Sequence, residues 1–391
     1  SILDEENFKW VRSEFDLTSF NTKSTTLFQF YNASSLSVHF KEMANDFLSA
    51  ANILMINLHV NNSNIELDTW IFPILYLYRH SLELLVKSKL AEKYSNIDEL
   101  RLKIGEFRHS IRDILVELGI YDQEISSYET VIWIKSYIND LDHIDTDSDF
   151  FRYPFDLTGK LPFEKQTWLN LLEIYKSANH AYGIIHNDGY KTMSKNKDFN
   201  NQCHNKVLKL DELNGVFSVV GYQYNSGDFF PFVYGYGDAA KYLINYFNGI
   251  MYPILYLYRN CIELSLKGLI YSRHSNLNRT PLKIFRRKKH SVLGLWNIMR
   301  SEVKRYNSNL DETDLLNFER YISYLHNFDP RSDKFRYPCD KYMNMYFLDE
   351  YTNDKKNFTD LFEAMISFLS AIDDQISEMQ QLEQEIMHDY L

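Results

Sequence analysis

Pro73-Ile-Leu-Tyr-Leu-Tyr-Arg79 recurs letter for letter as Pro253-Ile-Leu-Tyr-Leu-Tyr-Arg259, and Glu83 and Lys87 return as Glu263 and Lys267 at the same offset of 180. His109-Ser110 returns as His290-Ser291 at offset 181. Asp145, Ser148, Asp149, the run Phe151-Arg152-Tyr153-Pro154 and Asp156 return as Asp329, Ser332, Asp333, Phe335-Arg336-Tyr337-Pro338 and Asp340 at offset 184. Three blocks in one order at a nearly constant offset mean that one domain has been duplicated. The expected copies are residues 1–186 and 206–391, joined by a polar linker at 187–205.

The pattern within each copy is helical. Residues 35–59 carry apolar side chains at helical spacing with no Pro or Gly. Pro73 and Pro253 stand where a helix can begin, because the first turn has no use for the missing N–H. The apolar stretches 74–90 and 254–270 behind them predict the central helix of each bundle. Amphipathic segments start near His109 and His290 and cover 130–141 and 315–325, and closing helices are expected at 167–185 and 358–387. One small β-hairpin is expected near the linker, pairing 216–224 with 229–236. The fold class is therefore all-α, two tandem helical bundles with a small β-hairpin. The uncharged stretch 242–258 holds Asn245, Asn248 and Pro253, so it reads as two buried helical pieces rather than a membrane span.

Several chemistries find no support in the residues. Three cysteines far apart (Cys203, Cys261, Cys339) suit neither a disulfide scaffold nor a zinc module. Asp145-Thr-Asp-Ser-Asp149 imitates the opening of a calcium loop, but Phe150 occupies the place of the turn glycine. Phosphate loops, dinucleotide fingerprints and hydrolase elbows are absent. No metal and no cofactor is expected. The chain opens Ser-Ile-Leu-Asp-Glu-Glu, unlike a signal peptide, which gives a cytoplasmic, non-membrane expectation.

The repeated polar residues have two readings. Arg79/Glu83 and Arg259/Glu263 lie four apart on one helix face, either as structural ion pairs or as an anion site whose arginine the glutamate holds. His109 and His290 stand at helix starts, where backbone N–H groups favour anions. The turns offer Arg152 with Asp156, and Arg336 with Asp340, either as packing clips or as ligand contacts.

Charge separates the copies. The chain carries 42 Lys and Arg against 53 Asp and Glu, yet residues 264–309 hold eleven bases and one acid, a net of +10. The matching stretch of copy one, residues 84–127, has seven bases and eight acids. Arg286, Arg287, Lys288 and Lys289 are the densest part and point to an anionic partner, RNA or another polyanion. The alternative is intramolecular, since residues 357–391 hold eight acids and no Lys or Arg.

With this helix pattern, the Arg and His residues at helix ends and the basic patch, the chain resembles the HEPN superfamily, the higher eukaryote and prokaryote nucleotide-binding helical domains. The resemblance extends to bacterial helical proteins with a Tyr-Arg-His/Asn-x-x-Glu-Leu helix, a His-Ser segment and a Phe-Arg-Tyr-Pro-x-Asp turn. It implies a metal-independent endoribonuclease of a phage-defence or toxin–antitoxin system. The family signature, Arg, four to six residues, His, is matched by Arg320-Tyr-Ile-Ser-Tyr-Leu-His326, where copy one has Ser136 and Asp142. The resemblance thus implies catalysis by Arg320 and His326, joined by His290, with copy one as scaffold. Arg259 and Arg336 join the basic run as anion-binding candidates. A paired site would need a homodimer through copy two. The runner-up expectation is a non-catalytic module that docks a protein or a nucleotide on the basic face.

Overall fold

The computed structural model describes residues 27–30, 35–61, 63–122, 128–145, 148–189, 203–208, 215–221, 228–246, 251–273, 280–306, 312–347 and 352–389. Among them are thirteen helices and two antiparallel two-stranded pairs, so the fold is all-α with a small β element. Most of the expected linker, 190–202, lies outside the described residues, as do 222–227 of the expected hairpin. Two compact units emerge: residues 30–254 with 334–350, and residues 1–29 with 255–333 and 351–391. Their borders differ from those of the sequence copies, because the second Phe-Arg-Tyr-Pro turn belongs to the unit built on the first copy's helices.

In the first unit the helices are α1 (Leu36–Asn61), α2 (Asn64–Thr69), α3 (Ile71–Lys93), α4 (Ile97–Phe107), α5 (Ile111–Glu117), α6 (Glu129–Ile144), α7 (Leu171–His186) and α8 (Phe230–Tyr246). Helix α3 is the axis. Every residue from Ile71 to Ser88 is buried, which a helix can sustain only when neighbours cover all of its faces. Helices α1, α5, α7 and α8 supply that cover. Pro73 falls in the first turn, where it breaks no hydrogen bond.

The β pair beside the linker joins Phe217–Val220 to Thr167–Asn170, not to residues 229–236. Two expectations are corrected here. Residues 167–170 are strand, and the closing helix starts at Leu171 because the Asn170 side chain accepts from the Glu173 amide at 3.1 Å and caps it. Residues 230–246 are helix, held against α2 by a hydrogen bond from Trp70 Nε1 to Asp238 Oδ2 at 2.9 Å. Gly235 permits that approach, since a Cβ there would lie 2.2 Å from the Thr69 carbonyl oxygen.

The second unit holds most of α9 (Tyr252–Ser272), then α10 (Pro281–Lys288), α11 (Val292–Tyr306), α12 (Glu312–Phe328) and α13 (Lys355–Asp389). Strand Leu27–Gln29 pairs with Thr352–Asp354 at the start of α13. An aromatic seam locks α11, α12 and α13 together. Trp296 meets Phe318 edge-on at 4.6 Å, and Phe318 stacks on Phe368 at 4.6 Å. No helix among the described residues is long and apolar enough to cross a membrane.

Candidate functional site

The three repeated blocks are far apart in sequence and meet in space. In the first unit, Arg79, Glu83 and Lys87 project from one face of α3, as their spacing of four requires. Glu83 Oε2 pairs with Arg79, and its Oε1 accepts from Lys87 Nζ at 2.6 Å and from His109 Nδ1 at 3.0 Å. Arg79 also donates to the His109 carbonyl at 2.8 Å and lies 3.2 Å from Asp145 Oδ2. Asp145 in turn gathers its own loop, accepting from the amides of Asp149 and Phe150 at 2.9 and 3.1 Å.

The second unit repeats this wiring. Arg259 donates to Glu263 at 3.0 Å and to the His290 carbonyl at 2.6 Å, with Asp329 at 3.9 Å. Lys267 and the His290 ring reach Glu263 Oε1 at 2.7 and 3.0 Å. Each cluster therefore sets Arg and Lys against Glu and Asp, two charges of each sign, beside a histidine. A carboxylate can only accept, so Nδ1 of both histidines carries a proton and donates it. The histidine side chains are 38% and 29% exposed, whereas Glu83 and Glu263 are fully buried. Burial works against ionisation of both glutamates, but the adjacent lysine, histidine and arginine outweigh it and hold both well below the usual carboxylate range.

The serines after these histidines cap the next helices, accepting from Asp113 N and Gly294 N at 3.1 Å each. Arg108 and Lys289, just before the histidines, share a φ of 50°, and Ser148 and Ser332 share 62°. Non-glycine residues adopt such backbone only when their surroundings impose it. Matching strain at equivalent positions shows that the duplicated sequence folds into duplicated geometry.

The first cluster has one more member. Tyr337, from the second copy's turn, donates to Glu83 Oε1 at 2.8 Å, and Lys87 Nζ sits 4.6 Å from its ring centroid. The buried His80 donates through Nε2 to the Arg336 carbonyl at 2.9 Å. Tyr337→Phe removes one hydrogen bond to a charged acceptor, so calorimetry should show a loss of about 1.5–3 kcal/mol.

The remaining candidates fall in several places. Asp156 and Asp340 build their own turns: Asp156 accepts from the amides of Thr158 and Lys160, and Asp340 from those of Tyr342 and Asn344. Arg152 is buried and donates to Asp149 at 3.1 Å and to Tyr153 Oη at 3.0 Å. Arg259 and Arg336, expected as anion-binding residues, are also buried. Arg259 is committed to its own cluster and is not presented to a ligand. Arg320 and His326 are not brought together. Helix α12 runs unbroken from Glu312 to Phe328, and residues six apart on such a helix lie about 120° apart around its axis. Arg320 is exposed and donates to Asn317 Oδ1 at 3.2 Å. His326 is half-buried, its pKa lowered by burial and by the charge of Arg259.

The basic run is at the surface. Arg286, Arg287 and Lys289 are exposed at the end of α10, and Lys288 is half-buried. Lys304 and Arg305 are exposed at the end of α11. The acidic helix α13 engages Arg273 instead, through Gln380 at 2.7 Å and Asp373 at 3.7 Å. Arg279 lies outside the described residues. His290 follows Lys289 directly, so a half-exposed histidine held by a buried glutamate borders the cationic face. At the equivalent positions copy one has Gly105, Glu106, Phe107 and Arg108. No protein-family model, curated protein or solved structure matches the chain.

Proposed function

We propose that this chain is an RNA-directed helical protein that binds its ligand on the basic face of the second copy, formed by α10, the His290 segment and α11. One observation carries this reading. The two copies share their buried ion clusters but differ in the surface around them, and only copy two has the exposed Arg286, Arg287 and Lys289 beside its histidine. What both copies keep is needed to fold them. What one copy adds at its surface marks where a ligand of that copy would bind. RNA suits the added surface because its phosphates match a dense cationic run.

Metal-independent cleavage is the second reading, and the geometry that favours it centres on His290. Glu263 holds the Nδ1 proton of His290, so Nε2 is set to accept a proton, the role a base needs to deprotonate a ribose 2′-hydroxyl. Fluorescence anisotropy of a single-stranded RNA with the full chain at rising salt tests binding. Affinity should fall steeply, and weak binding insensitive to salt would remove the proposal. The same RNA incubated with EDTA tests cleavage. Cyclic-phosphate ends that persist in Arg320→Ala and vanish in His290→Ala would place the base at His290. Intact RNA would leave a binding protein.

A further inference from the structure

The duplication also exposes a lining in copy one whose residues copy two does not repeat. A cavity of about 480 Å³ opens in the first unit between the end of α6 and the Phe-Arg-Tyr-Pro turn. That volume lies within the range of small-molecule sites. Phe150, Tyr153, Phe155 and Phe163 line it, and Phe150 meets Phe163 edge-on at 5.8 Å. Phe150, Tyr153 and Phe163 are all half-buried, and the Arg152 guanidinium sits 5.0 Å from the Tyr153 ring centroid.

Three carboxylates stand in the wall, those of Asp140, Asp149 and Asp156. Asp140 is spent on its own neighbours, accepting from Lys206 Nζ at 2.9 Å and from the Val207 amide at 2.8 Å. Asp149 is different. Its Oδ1 accepts from the buried Arg152 at 3.1 Å, its side chain is 42% exposed, and Oδ2 has no partner among the described residues. Asp156 uses Oδ1 for its turn and likewise leaves Oδ2 open among the described residues. The Thr158 hydroxyl and the turn amides outweigh burial and hold its carboxyl below the ordinary range, so it stays charged. His143, Lys160 and Thr167 complete the polar lining. At the positions of Phe150 and Phe155 copy two has Lys334 and Cys339, and at those of Asp140 and His143 it has Tyr324 and Asn327. The fold can be built without this lining.

We infer that this cavity binds a small organic cation, an alkylated or aromatic ammonium group, with Phe150, Tyr153 and Phe163 facing it and Asp149 and Asp156 as counter-charges. Aromatic faces attract a cation through their quadrupole, and the attraction grows as water is excluded. A neutral ligand of the same shape keeps the apolar packing but lacks the attraction of both the quadrupole and the carboxylates. The site is independent of RNA binding on the second copy.

The test uses the full chain and two probe pairs: choline with its neutral carbon isostere 3,3-dimethylbutan-1-ol, and phenethylammonium with 2-phenylethanol. Titration calorimetry should show at least one cation binding about tenfold tighter than its neutral partner. Phe150→Lys installs the residue copy two already carries at the equivalent position and should abolish cation binding. Its RNA affinity should be unchanged. Asp149→Asn keeps the shape and should weaken the cation severalfold without affecting the neutral probe, which judges the site even if Phe150→Lys fails to fold. Equal affinity for cation and isostere, binding of neither cation, or cation binding unmoved by both substitutions would overturn the inference.

Discussion

Glu83→Ala and Glu263→Ala should each destabilise the chain by about 3–5 kcal/mol, because removing one partner of a buried ion pair strands the others in a medium that cannot solvate them. Without Glu83, the buried Arg79 and Lys87 keep only Asp145 as counter-charge, and His109 and Tyr337 lose their acceptor. Without Glu263, Arg259, Lys267 and His290 lose the carboxylate they share. Differential scanning calorimetry reads the effect directly. Losses below about 1 kcal/mol, the level of exposed pairs, would mean that the clusters do not hold the fold.

The same glutamates set a pH dependence. Their folded-state pKa values lie well below the ordinary 4.5, since the lysine and arginine charges and the histidine hydrogen bond overcome the cost of burial. A carboxyl with a depressed folded-state pKa adds stability above its unfolded-state value and loses it as pH falls toward the folded one. Wild-type stability should therefore fall below about pH 4.5, and its advantage over Glu83→Gln should shrink across that same window.

The second large effect concerns binding. Replacing Arg286, Arg287, Lys288 and Lys289 with Ser should flatten the dependence of log affinity on log salt by about 3, at roughly 0.7 for each phosphate of single-stranded RNA that is no longer neutralised. The substitutions lie at the C-terminal end of a surface helix, where residue 289 holds a positive φ, so melting is measured alongside. A slope unchanged in protein that melts normally would mean the phosphates are held elsewhere.

Much of the fold was legible because the repeat marked what matters twice. Arg79, Glu83, His109 and Asp145 were singled out by recurrence alone, and they form one cluster. Recurrence could not say which cluster a turn would join. Nothing in the run containing Tyr337 tells that its hydroxyl reaches Glu83, since 254 residues separate them and either copy offers the same Arg, Glu and Lys on its helix. The hairpin expectation failed for a related reason. Residues 217–220 are strand as read, but their partner 167–170 lies on the far side of the linker, where an apolar run looks equally like a helix start. Phe229–Tyr236 read as strand from its aromatic residues, whereas Phe230–Tyr246 is a helix that Gly235 lets approach α2 closely. The spacing of Arg320 and His326 matched a signature in letters, but an unbroken helix carries the two side chains to different faces. The aromatic cavity had a readable signal that periodicity does not use: Phe150 and Phe155 stand where copy two has Lys334 and Cys339.

Amide hydrogen exchange of the full chain with and without a single-stranded RNA locates the ligand most directly. Added protection should fall on Pro281–Lys288, on His290 and on Val292–Tyr306, while Ile97–Phe107 and Ile111–Glu117 of copy one stay unchanged. Protection on the copy-one helices, or equal protection on both sets, would contradict the assignment of the RNA surface to copy two.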